Sequence, residues 1–568
     1  MKYNKGQRNP NLQATLLWLL PLAFMLAFFY RPLVTIFSLI FSPGFSGSTV
    51  GLNLSKTVQP LLFTFKQATL STFFTLLVGL PIAYLFSHFQ FPGRKLLQTL
   101  TFIPFILPTV VVAAAFSALI GPRGWLNLAL VEIFGLKTQA LQWQGTLTAV
   151  VLAHVFYNLS LVVRIVGSAW SRLNPRLGQA ARSLGATSIR SFFEITLPLL
   201  GPALTGALLL VFLFDFTSFG VILMLGNPTQ PTLDVAIYQQ ALYYFNLPQA
   251  GLLSIIQLAF TLLISTLHDR LGTARAGKYA VQSERNALRK ARNFNEKLFI
   301  FLSVLCLFVL IVAPLLSLAS RSVVAIEAAR GERGQFQTGF TLRFYQELFQ
   351  NRTESIFYVS PFVAILNSLK FSFATVLISV LLGILASYAL VKESPLNRFL
   401  MPFFILPLGA SAITLGLGFV LTYNRGFFIQ EGFPWILPIA HSLLALPLVV
   451  RTLLPALRNI PANVRESARS LGASPQRTWL EIDLPLMLRP LLAAGIFAFT
   501  ISLGEFGATS FLSTPSNPTI PVAIYRYISQ PGSLNYGQAM AMATLLMLTC
   551  GAGIFLIERI KLPGEDLF

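Results

Sequence analysis

Apolar residues run through this chain in long blocks, with polar residues gathered in short stretches between them. A helix needs about 20 mainly apolar residues to cross the hydrocarbon core of a bilayer. By that measure the sequence predicts about twelve spans. Six lie near 14–38, 66–87, 98–120, 146–166, 196–225 and 249–267, and six near 298–319, 364–391, 399–423, 433–454, 484–510 and 537–557. Several contain proline or glycine, which membrane helices tolerate when neighbours satisfy the freed backbone groups. The expected fold class is all-α, a polytopic membrane protein.

The blocks also repeat. AHVFYNLSLVVR at 153–164 returns as AHSLLALPLVVR at 440–451, about 287 residues later. The same offset relates Phe219-Gly220 to Phe506-Gly507, and Val235-Ala236-Ile237-Tyr238 to Val522-Ala523-Ile524-Tyr525. Farther upstream, Ile106-Leu107-Pro108 matches Ile405-Leu406-Pro407 at a slightly larger offset. Six crossings separate equivalent positions, so the two halves share one orientation. An axis along the membrane normal relates them, with a path between them.

Composition supports this picture. Of 568 residues 55% are hydrophobic and 11% charged, and mean hydropathy is +0.69. A soluble domain carries about 25% charged residues. The net charge of +21 raises the question of a nucleic-acid partner. The basic residues, however, sit in short loops between apolar runs, the pattern of cytoplasmic membrane loops. With the N-terminus inside, about 25 Lys and Arg fall on the cytoplasmic side and about 10 outside. Both termini are thus expected in the cytoplasm, with the densest basic stretch, 268–297, linking the halves. The basic start (Lys2, Lys5, Arg8) leads into an uncleaved first helix. Cys306 and Cys550 lie in apolar segments and read as small buried hydrophobes, and the four histidines have no metal-site spacing.

The strongest motif lies in the loop between the fourth and fifth spans of each half. It runs Gln179-Ala180-Ala181, three residues, Gly185, nine residues, Ile195, one residue, Leu197-Pro198. The second copy, Glu466-Ser467-Ala468, Gly472, Ile482, Leu484-Pro485, has identical spacing. Alanines allow close approach to a partner, glycine a sharp reversal, and Leu-Pro suits the first turn of the next helix. This pattern resembles the EAA loop, E-A-A-x3-G-x9-I-x-L-P, of bacterial ABC importer permeases. The resemblance implies two short helices with the glycine at their turn, the first docking on a separate ATPase. Gln179 and Ser467 depart from the pattern, which puts an ionic role for the first acid in doubt. Flanking arginines (Arg172, Arg176, Arg182 and Arg190; Arg458, Arg465, Arg469 and Arg477) can meet lipid headgroups or partner carboxylates.

The two halves in one chain, with helices ending near Arg31-Pro32-Leu33 and Ala313-Pro314-Leu315, are similar to the iron(III)/thiamine branch of these permeases. The resemblance implies an inner-membrane protein with two copies of an ATPase subunit and an extracytoplasmic substrate-binding protein. ATP and Mg belong to the ATPase, and no cofactor to this chain. The expected divisions are 1–65 (first helix and outer loop), 66–267 (first permease domain), 268–297 (linker), 298–361 (seventh helix and outer loop), 362–557 (second permease domain) and 558–568 (tail). No G-x4-G-K-[ST] phosphate loop is present, so ATP hydrolysis by that chemistry belongs elsewhere.

Asp215 and Glu505 fall inside spans. An ionisable residue at that depth is costly, so both are candidates for the translocation path, or else ties between helices. The repeat pairs Glu505 with Ser218, not with Asp215. Lys66 and Lys370 read as snorkelling, and His154 and His441 as packing or interhelical hydrogen bonds. Asn227-Pro228-Thr229 and Asn517-Pro518-Thr519 read as outer turns. An ion-gradient-driven twelve-helix transporter also fits two parallel halves, and a channel or assembly factor is a third class. Neither accounts for the duplicated loop.

Overall fold

The structure, a computed structural model, describes residues 10–40, 54–135, 141–276, 288–328, 336–350, 360–391, 395–423, 435–515 and 517–560. Lys2, Lys5 and Arg8, linker residues 277–287 and the tail beyond 560 lie outside the described residues. The first half contains α1 (Pro10–Met25), α2 (Arg31–Ile40), α3 (Leu54–His88), α4 (Thr109–Ile120), α5 (Leu147–Ser171), α6 (Pro175–Ser183), α7 (Ser188–Ser191), α8 (Leu197–Phe216), α9 (Gly220–Leu225), α10 (Leu233–Leu242) and α11 (Leu247–Ala276). The second follows the same order with α12 (Phe294–Leu307), α13 (Ala313–Arg321), α14 (Pro361–Leu390), α15 (Ala412–Tyr423), α16 (Ile436–Arg458), α17 (Ala462–Ser470), α18 (Pro475–Thr478), α19 (Leu484–Gly504), α20 (Gly507–Leu512), α21 (Ile520–Ser529) and α22 (Ser533–Ile560).

Among the described residues, ten helical runs are long and apolar enough to cross a membrane. The expected span at 399–423 is not one of them. It breaks into Pro395–Ile405, a 3-10 turn at Leu406–Gly409 and the 12-residue α15. The segment at 98–120 breaks likewise, because Leu107 is extended ahead of Pro108 and α4 starts only at Thr109. The segments at 196–225 and 484–510 each break near their far ends, before α9 and α20. The stretch 537–557 lies inside α22. Within the loop at 320–361, an antiparallel hairpin pairs β1 (Val324–Ala328) with β2 (Phe336–Phe340), Val324 facing Phe340. Ile326 is buried beneath it.

Four π-helical turns, Leu26–Tyr30, Phe192–Thr196, Phe308–Val312 and Trp479–Asp483, each stand two residues ahead of a proline. Proline lacks an N–H and its ring strikes the carbonyl four residues back. One wider turn relieves that clash without ending the helix. Leu197-Pro198 and Leu484-Pro485 therefore do not open fresh helices as expected from the sequence. Each lies inside a continuous run, Ser188–Phe216 or Pro475–Gly504.

Glycines set the tightest packing inside each half. A Cβ on Gly79 would lie 2.6 Å from Val162 Cγ1, and one on Gly383 would lie 2.4 Å from Val449 Cγ1. Helices α3 and α5, and their counterparts α14 and α16, thus approach with backbone against side chain. The depth of α10 and α21 is fixed in matching ways. Thr64 Oγ1 accepts from the Leu233 N–H at 2.9 Å, and Ser368 Oγ from the Ile520 N–H at 2.8 Å.

The opening helices are exchanged between halves. Helix α1 packs on α14 and α2 on α15, while α13 packs on α4. Tyr423 donates to the Ala27 carbonyl at 2.6 Å, Tyr30 to that of Phe403 at 3.2 Å, and Trp18 meets Phe404. On the other side Trp125 Nε1 donates to Ser320 Oγ at 2.7 Å. The linker returns along the end of α3: Arg289 N–H bonds the His88 carbonyl at 3.0 Å, and its guanidinium pairs with Glu296 at 2.8 Å.

Candidate functional site

The two repeated loops fold alike. Helix α6 is capped by Asn174, which accepts from the Arg176 N–H, and the chain then reverses at Gly185 with φ +90°. Its counterpart α17 reverses at Gly472 with φ +85°. That left-handed conformation costs other residues about 1–2 kcal/mol. Thr187 and Ser474 cap the next short helices by accepting from Arg190 and Arg477 N–H groups, both at 3.2 Å. The same arginines pair with Glu194 and Glu481, each at 2.9 Å, so they are engaged within the loop. Gln179, Ala180, Glu466 and Ser467 are exposed, whereas Ala181, Ala468, Ile195, Ile482, Leu197 and Leu484 are half-buried. Pro198 and Pro485 are exposed. At the tip of each loop stands a leucine that is not one of the motif's defining positions. Leu184 and Leu471 are each 89% exposed.

The loops differ in how they are tied to the helices. In the second half Arg465 Nε bonds Asp483 Oδ1 at 2.8 Å, and Tyr388 donates to Asp483 Oδ2 at 3.0 Å. The first half has Gly178 and Thr196 at the equivalent positions. Tyr84, in the place of Tyr388, packs instead against Trp170 and His88.

Asp215 and Glu505 are both buried, and the structure does not bring them together. Each pairs with the histidine of its own half. His154 Nδ1 lies 3.3 Å from Asp215 Oδ1 and 3.0 Å from Ser71 Oγ, and its Nε2 lies 2.8 Å from Ser218 Oγ. In the second half, His441 Nδ1 faces Ser502 Oγ at 2.8 Å, and Nε2 lies 3.3 Å from Glu505 Oε2. The acid and the serine have exchanged sides of the ring. Since a carboxylate only accepts, a neutral His154 directs its N–H from Nδ1, and a neutral His441 from Nε2. Glu505 also accepts from Ala508 N–H at 2.8 Å and Thr509 N–H at 2.9 Å, capping α20. Asp215 accepts instead from Asn158 Nδ2 at 2.7 Å, and Ala445 holds the place of Asn158 in the second half.

Between the halves runs an aromatic seam. Phe219 and Phe506, repeat equivalents, stack on each other with centroids 5.4 Å apart and planes 27° from parallel. Tyr238 packs on Phe219 at 5.3 Å and Tyr525 on Phe506 at 5.5 Å. Tyr238 also meets Phe511 across the seam. One turn earlier in α10, Asp234 accepts from Ser411 of the other half at 2.5 Å. The Phe-Gly and Ala-Ile-Tyr repeats stand out in the sequence, but nothing there marks them as a site. The signal was there, in aromatic residues kept at equivalent positions. It required a fold to show that the equivalents meet.

Lys66 and Lys370 are exposed, and Cys550 is buried. Cys306 is exposed, contrary to expectation, because it faces outward from α12. Asn227 forms the expected turn, accepting from the Thr229 N–H at 2.9 Å. Among the described residues no cluster of His, Cys, Asp and Glu could hold a metal.

Comparison with known proteins sets this geometry in a family. The thiamine transport system permease protein ThiP of Salmonella typhimurium is 27% identical over 514 residues, covering 89% of this chain and 88% of its own. ThiP of Escherichia coli is 27% identical over 509 residues, with 89% of each chain covered. A chain of a bacterial ABC transporter that imports the acidic polysaccharide alginate aligns over 47% of this chain and 96% of its own, at 19% identity and a TM-score of 0.38. The profile of the binding-protein-dependent transport system inner membrane component matches residues 75–275 and 379–562. These two matches span well over half the chain, one in each half. The chain therefore belongs to that family, as a multi-pass permease subunit of an ABC importer and not an enzyme.

Proposed function

We propose that this permease carries thiamine, received from a binding protein at one end of the bundle and released at the end bearing the repeated loops. The reading of the loops rests on one observation: two left-handed glycines, Gly185 and Gly472, each follow a bare leucine that is 89% exposed. An apolar side chain held out on a rigid turn costs free energy in water and gains it in a complementary cleft. Two such loops suit two copies of an ATPase subunit. ATP-driven closure of the pair would draw the loops together and rock the halves, with both termini in the cytoplasm. The substrate reading rests on the relatives of nearly equal length whose names specify thiamine. Iron(III), the other substrate the sequence left open, has no comparable support here.

Asp215 and Glu505 support the path from behind. Asp215 lies one turn before Phe219, and Glu505 immediately before Phe506. Their pairs with His154 and His441 hold the backbone that presents those rings.

The test is gentle extraction of the tagged chain, identification of what co-purifies, and labelled thiamine uptake after reconstitution with those partners. Recovery of an ATPase at two copies per permease, with ATP-dependent thiamine uptake, is expected. Recovery of the chain folded and alone after cross-linking overturns the importer assembly. An intact complex that moves iron(III) and not thiamine overturns the substrate alone.

A further inference from the structure

We propose that Phe219, Phe506, Tyr238 and Tyr525 form the barrier of the translocation path, and that parting of the halves turns these four rings into a slot for a flat, cationic heteroaromatic substrate. The second part rests on the thiamine reading above; the first does not.

The barrier follows from position. A path between halves related by an axis must run along that axis, and a residue that meets its own repeat equivalent lies on it. Phe219 and Phe506 satisfy this condition and touch each other. They are 6% and 3% exposed, so the contact is closed. No solute can pass between the halves there without separating the two rings. Both stand where a membrane helix breaks, at the junctions of α8 with α9 and of α19 with α20. The following glycines keep those junctions in close contact with their neighbours. A Cβ on Gly220 would lie 2.4 Å from Thr109 Oγ1, and one on Gly507 would lie 2.9 Å from the Ala412 Cβ. Each ring therefore moves with its own half.

The slot follows from chemistry. Each phenylalanine carries a tyrosine of its own half at 5.3 or 5.5 Å, inclined by about 60°. Each half thus brings a ring pair set at an angle, and separating the halves exposes two aromatic faces toward one gap. Such faces attract a cation within about 6 Å of a ring centroid, and flat rings stack on them. Asp215 and Glu505 pair with His154 and His441 of their own halves. A compact hydrated ion gains little from this lining, whereas an organic cation with a ring system gains from both faces.

The test uses the complete importer, with its ATPase and binding protein, reconstituted in liposomes. Two double variants separate sealing from recognition. Phe219→Leu with Phe506→Leu retains apolar bulk but removes the π faces. It should raise the KM for thiamine roughly three- to thirtyfold without releasing trapped choline. Phe219→Ala with Phe506→Ala should release trapped choline without ATP. Unchanged KM in the leucine variant overturns the slot. Full retention of choline by an alanine variant that still hydrolyses ATP overturns the barrier. If wild-type importer moves no thiamine but the alanine variant leaks, the slot falls with the substrate reading and the barrier stands.

Discussion

The exchanged acids make a quantitative prediction. Asp215→Ser installs in the first half the residue that the second half carries at the equivalent position, Ser502. The Asn158 Nδ2 group, now 2.7 Å from Asp215 Oδ1, loses its acceptor, while His154 Nδ1 loses a carboxylate 3.3 Å away but keeps Ser71 Oγ at 3.0 Å. One buried donor left unpaired costs about 1–3 kcal/mol. For a unit of some 200 residues this lowers the melting temperature by about 2–12 °C. Adding Ser218→Glu moves the acid to the other side of the imidazole, as in the second half, where it also finds the first-turn N–H groups of α9. Adding Asn158→Ala then copies Ala445 and removes the orphaned amide. The triple variant should regain at least half of the lost melting temperature. Thermal unfolding of the detergent-purified complex measures all three variants. If the triple variant melts no higher than Asp215→Ser, the two halves do not share one histidine–acid device and the reasoning is wrong.

The loops and helix contacts yield further expectations. Gly185→Asp combined with Gly472→Asp should abolish transport while membrane insertion stays intact, since a Cβ at either glycine meets nothing within 4 Å and only the turn is disturbed; uptake and membrane fractionation check this. Gly383→Ala should destabilise by about 1–3 kcal/mol by driving a methyl into Val449, and Val449→Ala should relieve it, a pair readable by melting temperature. Arg465→Met should leave Asp483 with the Tyr388 hydroxyl alone of these two partners and weaken coupling in the second half, seen as lower transport per ATP hydrolysed. Gly178→Arg, which supplies the same side chain to a half with Thr196 in place of the acid, should not strengthen it.

The sequence carried the twofold organisation clearly because repetition needs no knowledge of distances. Paired motifs such as AHVFYNL and AHSLLAL locate equivalent helices directly. The left-handed glycines were legible for a similar reason: identical spacing around Gly185 and Gly472 pointed to one turn made twice. Helix breaks were less legible. A hydropathy window averages across Leu107-Pro108 or Leu406–Gly409, so a broken segment reads like a whole one. Prolines mislead in the other direction, because a π turn carries Leu197-Pro198 through a helix that the residue types alone would end. The histidine–acid pairs stayed hidden because residue-by-residue alignment sets Glu505 against Ser218. Only the two faces of an imidazole make their positions interchangeable. The hairpin at 324–340 lies in a stretch of mixed polarity too short for either period to stand out.

The crossing of the opening helices bears on how the chain is made. Helix α1 leaves the ribosome well before the surface it finally covers, on α14, which lies more than three hundred residues downstream. At about 5–20 residues per second, on the order of half a minute passes before that surface exists. Through that interval α1 must rest in lipid with Met25 and Phe29, fully buried in the finished protein, turned toward acyl chains. Assembly of the first half therefore cannot be completed before the second is synthesised. A chain cut in the linker can regain the native arrangement only if both fragments are present in the same membrane while one still waits for the other.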